Sequence, residues 1–328
     1  MQKSRAFIFF ALSSLLTAAL SFTVPLLSSA ASTDTPVSLP LSAPAATQPA
    51  TTSPAGLRVF TAGHSFHFYV APLLADLAHE AKIKGHKSVG ISFIPGSRII
   101  QHWNVADSKN NTKTALAAGD VDVLTLSPLL PTDAGIDRFA ELGLKKNPDL
   151  RITIQQSWLS NDTLNPQAPL ANIKVDHNAS IISDLRKLHE VYFSALNEFI
   201  TALNKPLLKQ TGHQVVYLVP VGQAVLTLRE KIVAGEVPGI AQQSDLFTDA
   251  LGHPKPALAA LVAYCHYAVI YRQSPIGLPL PRRFSTLKID KINELNLLLQ
   301  KIAWEAVTNC PLSGVTETPA TRPAAPKP

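Results

Sequence analysis

Leu57-Arg58-Val59-Phe60-Thr61-Ala62-Gly63-His64-Ser65-Phe66-His67 is the stretch on which the fold turns. A short, mainly apolar run over 57–62 reads as a β-strand. It stops at Gly63 and delivers Ser65 to the start of a helix. That geometry exposes a serine oxygen at the carboxyl edge of a sheet, where backbone N–H groups of the following helix can hold an anion.

Outward from this stretch, apolar runs and turn signals alternate. A helix is expected over 68–84, with Val70, Leu73, Leu74, Leu77 and Ala81 on one face and Gly85 closing it. Strands follow at 88–94 (ended by Pro95-Gly96), 121–126, 151–158 and 214–219. Helical patterns cover 113–118, 133–146 (capped by Thr132 or Asp133), 181–208 with a kink near Pro206, 221–234, 253–271 and 290–307. Strands separated by helices imply right-handed crossovers and a parallel sheet. The expected architecture is a three-layer α/β/α sandwich with a five-stranded parallel sheet in a flavodoxin-like order. Ligands bind at the carboxyl ends of such strands, where Ser65, Gly96, Ser127 and Trp158 fall.

Both ends of the 328-residue chain read differently. Residues 1–30 carry Lys3 and Arg5, an apolar run over 6–27 and small residues up to Ala30, the pattern of a secretory signal peptide. Residues 31–56 are rich in Ala, Thr, Ser and Pro and form a flexible tether. Residues 314–328 have the same character and read as a disordered tail. One folded domain remains at 57–313, exported to a periplasm or the exterior, with no stable membrane insertion once the signal is cleaved.

The formal charge is +6, or +4 without Lys3 and Arg5, and no dense basic run argues for nucleic acid. Cys265 and Cys310 are too far apart for a zinc motif; an exported compartment permits a disulfide between them, and a buried thiol fits Cys265 at least as well, since it lies in an apolar helical run. His64 and His67 flank the serine at a spacing of three. With no third ligand evident they read as residues lining the mouth of the site, and neither metal nor cofactor is expected. His266 reads as a core histidine, Arg282-Arg283 as a solvated pair, and Trp103 and Trp158 as packing residues.

A serine needs a base and an orienting acid. Among ten histidines, His253 stands out in Asp249-Ala250-Leu251-Gly252-His253-Pro254, a carboxylate shortly before a histidine in a Gly/Pro loop leading to a helix. An early Gly-x-Ser after a strand, the α/β order and this late loop together resemble the SGNH (GDSL-like) hydrolase superfamily across 57–280. The segment Ser274-Pro275-Ile276-Gly277-Leu278 is similar to the end of exported bacterial members. The resemblance implies Ser65 as nucleophile, His253 as base, Asp249 as its orienter and the N–H groups of Ser65 and Gly96 as oxyanion donors.

Two departures from the family pattern stand out. The Asp–His spacing is one residue longer than usual, which leaves Asp245 as an alternative acid. The third-block asparagine is missing, with Leu124-Thr125-Leu126-Ser127-Pro128 in its place. Either the Ser127 hydroxyl or Asn161 is the candidate replacement. The resemblance and export imply a serine esterase acting on a small-molecule or carbohydrate ester, possible O-acyl or O-acetyl groups included. A non-catalytic binding protein on the same scaffold is the alternative; a two-lobed solute-binding protein fits the element count less well.

Overall fold

The computed structural model describes residues 54–164, 175–285 and 287–316, all within the compact unit Thr51–Pro328. The expected signal peptide, the tether up to residue 53 and the tail beyond 316 lie outside the described residues. The folded part runs slightly past 57–313 at both ends: Gly56 N–H bonds the Lys84 carbonyl, and Val315 is buried in the core.

Five strands, β1 (Arg58–Gly63), β2 (Lys87–Phe93), β3 (Val123–Leu126), β4 (Arg151–Gln155) and β5 (Val216–Val219), form one sheet in the order β2-β1-β3-β4-β5. Every pairing is parallel. The chain leaves β1 to build β2 on one side and returns to β3 on the other, so the topological switch lies between β1 and β3. A crevice opens there at the carboxyl ends of the strands.

Alternation along the strands divides the core in two. Phe60, Ala62, Leu124, Leu126, Ile152, Ile154, Val216 and Leu218 face one layer of helices. That layer holds α2 (Ile99–Trp103), α3 (Asn111–Ala118), α4 (Ile136–Leu144) and α5 (Ile182–Thr211). Val59, Val123, Tyr217 and Val219 face the other, built by α1 (Val70–Glu80), α6 (Val221–Val233), α7 (Pro256–Tyr271) and α8 (Ile292–Thr308). Helix α7 is buried at all but its first residue, which an amphipathic surface helix never is. It packs between the sheet and its neighbours. Among the described residues no helix is long and apolar enough to cross a membrane.

Several boundaries differ from expectation for local reasons. Helix α1 runs Val70–Glu80, shorter than the expected 68–84, because a turn over 65–69 precedes it, with His64 C=O accepting from the His67 and Phe68 N–H groups. Helix α4 starts after Gly135, not at Thr132 or Asp133. Asp133 is fully buried and accepts instead from Ile99 N–H, at the start of α2, a helix that local patterning does not reveal. Strand β4 ends at Gln155, three residues before Trp158, and α7 begins at Pro256, three after His253. Both early stops leave irregular chain at the sheet edge. Cys265 and Cys310 are buried free thiols.

Candidate active site

Gly63 ends β1 in a crowded place: a Cβ there would lie 3.0 Å from the His67 ring and 3.3 Å from Ser127 Cβ, so a side chain would have to push its neighbours aside. The turn that follows lifts Ser65 to the sheet edge. Its Oγ lies 2.8 Å from His253 Nε2, and His253 Nδ1 lies 2.6 Å from Asp249 Oδ2. Ser65, His253 and Asp249 therefore form one unbroken hydrogen-bonded row, although 188 residues separate the first two.

Asp249 is held from several sides. Its Oδ1 accepts from the backbone N–H groups of Gly252 and His253 at 3.0 and 3.1 Å. Partial burial pushes its carboxyl up, but the bonds from the His253 ring and these N–H groups outweigh that, and the group sits below its ordinary value. Asp245 caps a neighbouring turn through Gln242 N–H and makes no contact of this kind.

Three carbonyls of the loop that carries Asp249 and His253 accept bonds from the segment after β4. Trp158 Nε1 donates to Gly252 C=O at 3.0 Å, Asn161 N–H to Leu251 C=O at 3.1 Å, and His177 Nε2 to Asp249 C=O at 3.2 Å. Gly252 has φ +96°, a conformation that L side chains rarely adopt, so glycine suits this bend. Phe66 stacks on Trp158 at 4.6 Å and meets the His253 ring edge-on at 5.2 Å, fixing the imidazole plane.

His177 is anchored in turn. Its Nδ1 faces Asp162 Oδ2 at 3.0 Å, and Asp162 accepts both arms of Arg229 at 2.6 and 2.9 Å and the Ser180 hydroxyl. Burial pushes the Asp162 carboxyl up, but His177, Arg229 and Ser180 together hold it well below the usual carboxylate range. Arg229 also donates to Gln243 Oε1 at 2.7 Å. Sequence reasoning missed this buried group because its members are spread from 162 to 243.

Beneath the nucleophile turn lies a second polar cluster. Gln155 Nε2 donates to Phe66 C=O at 3.0 Å, which orients the amide and leaves its Oε1 to accept from His67 Nδ1 and His266 Nε2 at 3.0 and 2.9 Å. Thr125 Oγ1 closes the ring against the other nitrogen of each histidine. His67 is fully buried, so it is a floor residue and not one lining the mouth. His64 is also buried and reaches the cleft wall. Burial holds the His64 imidazole down at about 3 and that of His67 at about 4. Among the described residues no cluster of His, Cys, Asp or Glu is arranged to hold a metal.

The oxyanion candidates divide. The N–H groups of Ser65 and Gly96 bond no acceptor among the described residues, and both residues line the cleft. Ser127 does not line it: its hydroxyl is fully buried against His64 Nε2 at 3.2 Å and Ser157 Oγ at 3.3 Å. Asn161 also lies off the cleft, 5% exposed, with its Nδ2 buried and unpartnered. Neither side chain lines the cleft in this structure. Trp103 packs edge-on against Phe139 under Lys113, as a structural residue. Arg282 and Arg283 are paired with Glu80 and Asp76 of α1, and not merely solvated.

The sheet order 2-1-3-4-5 places the Ser-His-Asp row at its carboxyl edge. No family model matches the chain, and no curated protein does. Solved structures to which the chain is similar include the following three. One is a DUF4886 family protein from Bacteroides uniformis, at 14% identity and TM-score 0.46, over 77% of this chain and 95% of that one. Another, from Slackia heliotrinireducens, carries a provisional SGNH hydrolase designation; identity is 16% and TM-score 0.35, over 65% and 97%. The third is WcbI, a polysaccharide biosynthesis enzyme, at 16% identity and TM-score 0.33, over 76% and 90%. At such values the chemistry must be read from this chain's own residues.

Proposed function

We propose that the chain is an exported serine ester hydrolase working through an acyl-enzyme on Ser65. The observation that carries this reading is the contact row Asp249–His253–Ser65, with both distances within hydrogen-bond range. A serine hydroxyl is a weak nucleophile until a base takes its proton. As Oγ attacks the ester carbonyl carbon, His253 Nε2 receives that proton, and Asp249 steadies the resulting imidazolium. The N–H groups of Ser65 and Gly96 meet the oxyanion. Collapse breaks the ester C–O bond, and His253 returns the proton to the departing alcohol oxygen. Water then attacks the acyl carbon with His253 again as base, and Ser65 leaves reprotonated.

Export rests on the charged and apolar N-terminal pattern with Lys3 and Arg5. The family resemblance adds an O-acyl or O-acetyl carbohydrate as one substrate class. The engaged hydroxyl of Ser127 favours a second reading, a non-catalytic binding protein: losing one oxyanion donor costs about 10²–10³ in kcat. A fluorophosphonate probe separates the two. It should label the wild type and fail on Ser65→Ala. A folded wild type that stays unlabelled at millimolar probe would point to the binding protein.

A further inference from the structure

We infer that the ester taken at this site carries an apolar acyl chain longer than butyryl, seated in a cleft on the Gly96 side of Ser65, and that its alcohol leaves through a second apolar cleft on the His253 side. The inference rests on Ser65 being the nucleophile.

Ser65 lies where two clefts meet, each of about 400 Å³. The first is lined by Gly96 and not by His253; the second by His253 and not by Gly96. The leaving oxygen must take its proton from His253 Nε2, so the alcohol arm points into the second cleft. The acyl arm is left with the first.

The apolar wall of that first cleft includes Leu129, Leu130, Trp158, Leu159, Leu164 and Tyr192, and the polar residues Arg98, Gln101, Ser160 and Thr163 also line it. Its size falls within the range of small-ligand sites, where burial of apolar ligand surface supplies most of the binding. An acetyl group has one methyl to place there and would leave the walls uncovered. Leu164, 39% exposed, lies on this wall.

The second cleft is formed by Phe68, Tyr69, Pro72, Leu73, Pro254 and Phe284, with Arg283 at its edge. Arg283 is engaged by Asp76 at 2.9 Å. Among the described residues no Asn, Gln, Asp or Glu lines this cleft, whose polar groups beyond Ser65 and His253 are the Tyr69 hydroxyl and the Arg283 guanidinium against mainly aromatic and proline walls. An alkyl or aryl alcohol suits it better than a polyol.

The test is hydrolysis of a series of p-nitrophenyl esters, acetate to hexadecanoate, by the full chain. A buried methylene contributes about 0.8 kcal/mol, so kcat/KM should rise about fourfold per added carbon, to a maximum between about six and twelve carbons. Leu130→Trp and Leu164→Trp, each filling the cleft independently, should each lower the octanoate-to-acetate ratio about tenfold or more. A rate highest on acetate and falling with length, or a ratio that neither tryptophan moves, overturns the acyl cleft and leaves Ser65 as the nucleophile. If no ester turns over but fluorophosphonates label Ser65, octyl must label faster than ethyl; equal rates overturn the inference. Absence of both turnover and labelling overturns the nucleophile reading, and this inference with it.

Discussion

His177 Nε2 lies 3.2 Å from the carbonyl oxygen of Asp249, while its Nδ1 faces the Asp162 carboxylate at 3.0 Å. Both ring nitrogens lie against oxygens, so the imidazole bridges a buried ion pair and the loop of the proposed base. His177→Phe keeps an aromatic ring there and removes both polar contacts. It should lower kcat by about ten- to a hundredfold with a smaller change in KM, since it misplaces Asp249 and His253 without entering either cleft. Steady-state kinetics on the preferred ester, with near-ultraviolet circular dichroism to verify folding, decide this. An unchanged kcat means that the loop holds its shape without His177.

Asp162 and Arg229 carry the stability behind that arrangement. Their side chains are 7% and 3% exposed and joined through both guanidinium nitrogens. Removing one charge strands the other in the interior, so Asp162→Asn should cost about 3–5 kcal/mol in urea unfolding. The Asp162 carboxyl is depressed in the folded state. Its contribution is therefore complete above the unfolded carboxylate value near pH 4 and is lost as pH falls through the lower folded value. The destabilisation by Asp162→Asn should be flat between pH 6 and 8; a cost below 1 kcal/mol would show that the pair is replaceable.

Trp158 separates hydrogen bonding from packing. Trp158→Phe retains an aromatic face for Phe66 but loses the Nε1–H bond to Gly252 C=O. The loop bends at Gly252 with φ +96°, and that carbonyl is one of its three anchors. Trp158→Phe should reduce kcat several-fold, and Gly252→Ala more severely: a Cβ there would stand 3.2 Å from Trp158 Nε1 in a backbone conformation unfavourable to alanine. Equal activity in all three proteins would remove the indole from the account.

The sheet was legible because buried parallel strands leave short apolar runs between turn signals, as at Val123–Leu126 and Val216–Val219. Ser65, Asp249 and His253 could be singled out because each stands in a short local pattern beside glycine or proline. Residues that act at long range left no such trace. Helix α2 is five residues long and takes its buried acceptor from Asp133, thirty-four positions beyond Ile99. Trp158, His177 and Arg229 reach the site only through contacts across the fold. His67 reads in the sequence as a residue at the mouth of the site, yet a glutamine at the end of β4 and a threonine on β3 meet its two ring nitrogens and make it a floor residue. Ser127 falls at the family's third-block position, but its hydroxyl is turned inward by His64.

That orientation of Ser127 yields its own prediction. A side chain donating to the oxyanion is worth about 10²–10³ in kcat. If the hole consists of the Ser65 and Gly96 N–H groups, Ser127→Ala should change kcat less than tenfold and affect mainly stability, through the lost bond to His64. A fall of a hundredfold or more in kcat with KM preserved would mean that the hydroxyl swings into the cleft when substrate binds.

Burial depresses the basicity of several histidines in the fold. His102 is 1% exposed between Ser92 Oγ at 2.7 Å and Ser97 Oγ at 2.8 Å, and burial, with the nearby His67 contributing, lowers its imidazole to about 4. Burial likewise holds His189 at about 4. An unfolded chain protonates these rings near pH 6.5, whereas the folded one resists until about pH 4. Between those values the unfolded state binds more protons, so stability rises with pH across the window and levels off above it. Urea unfolding of the wild type should show this slope between pH 4.5 and 6.5. His102→Gln, which removes one such ring, should make the slope shallower by up to about 1.4 kcal/mol per pH unit while leaving the plateau above pH 7 flat. A variant that shifts the whole curve down without altering its steepness would show that His102 already carries its proton in the folded protein.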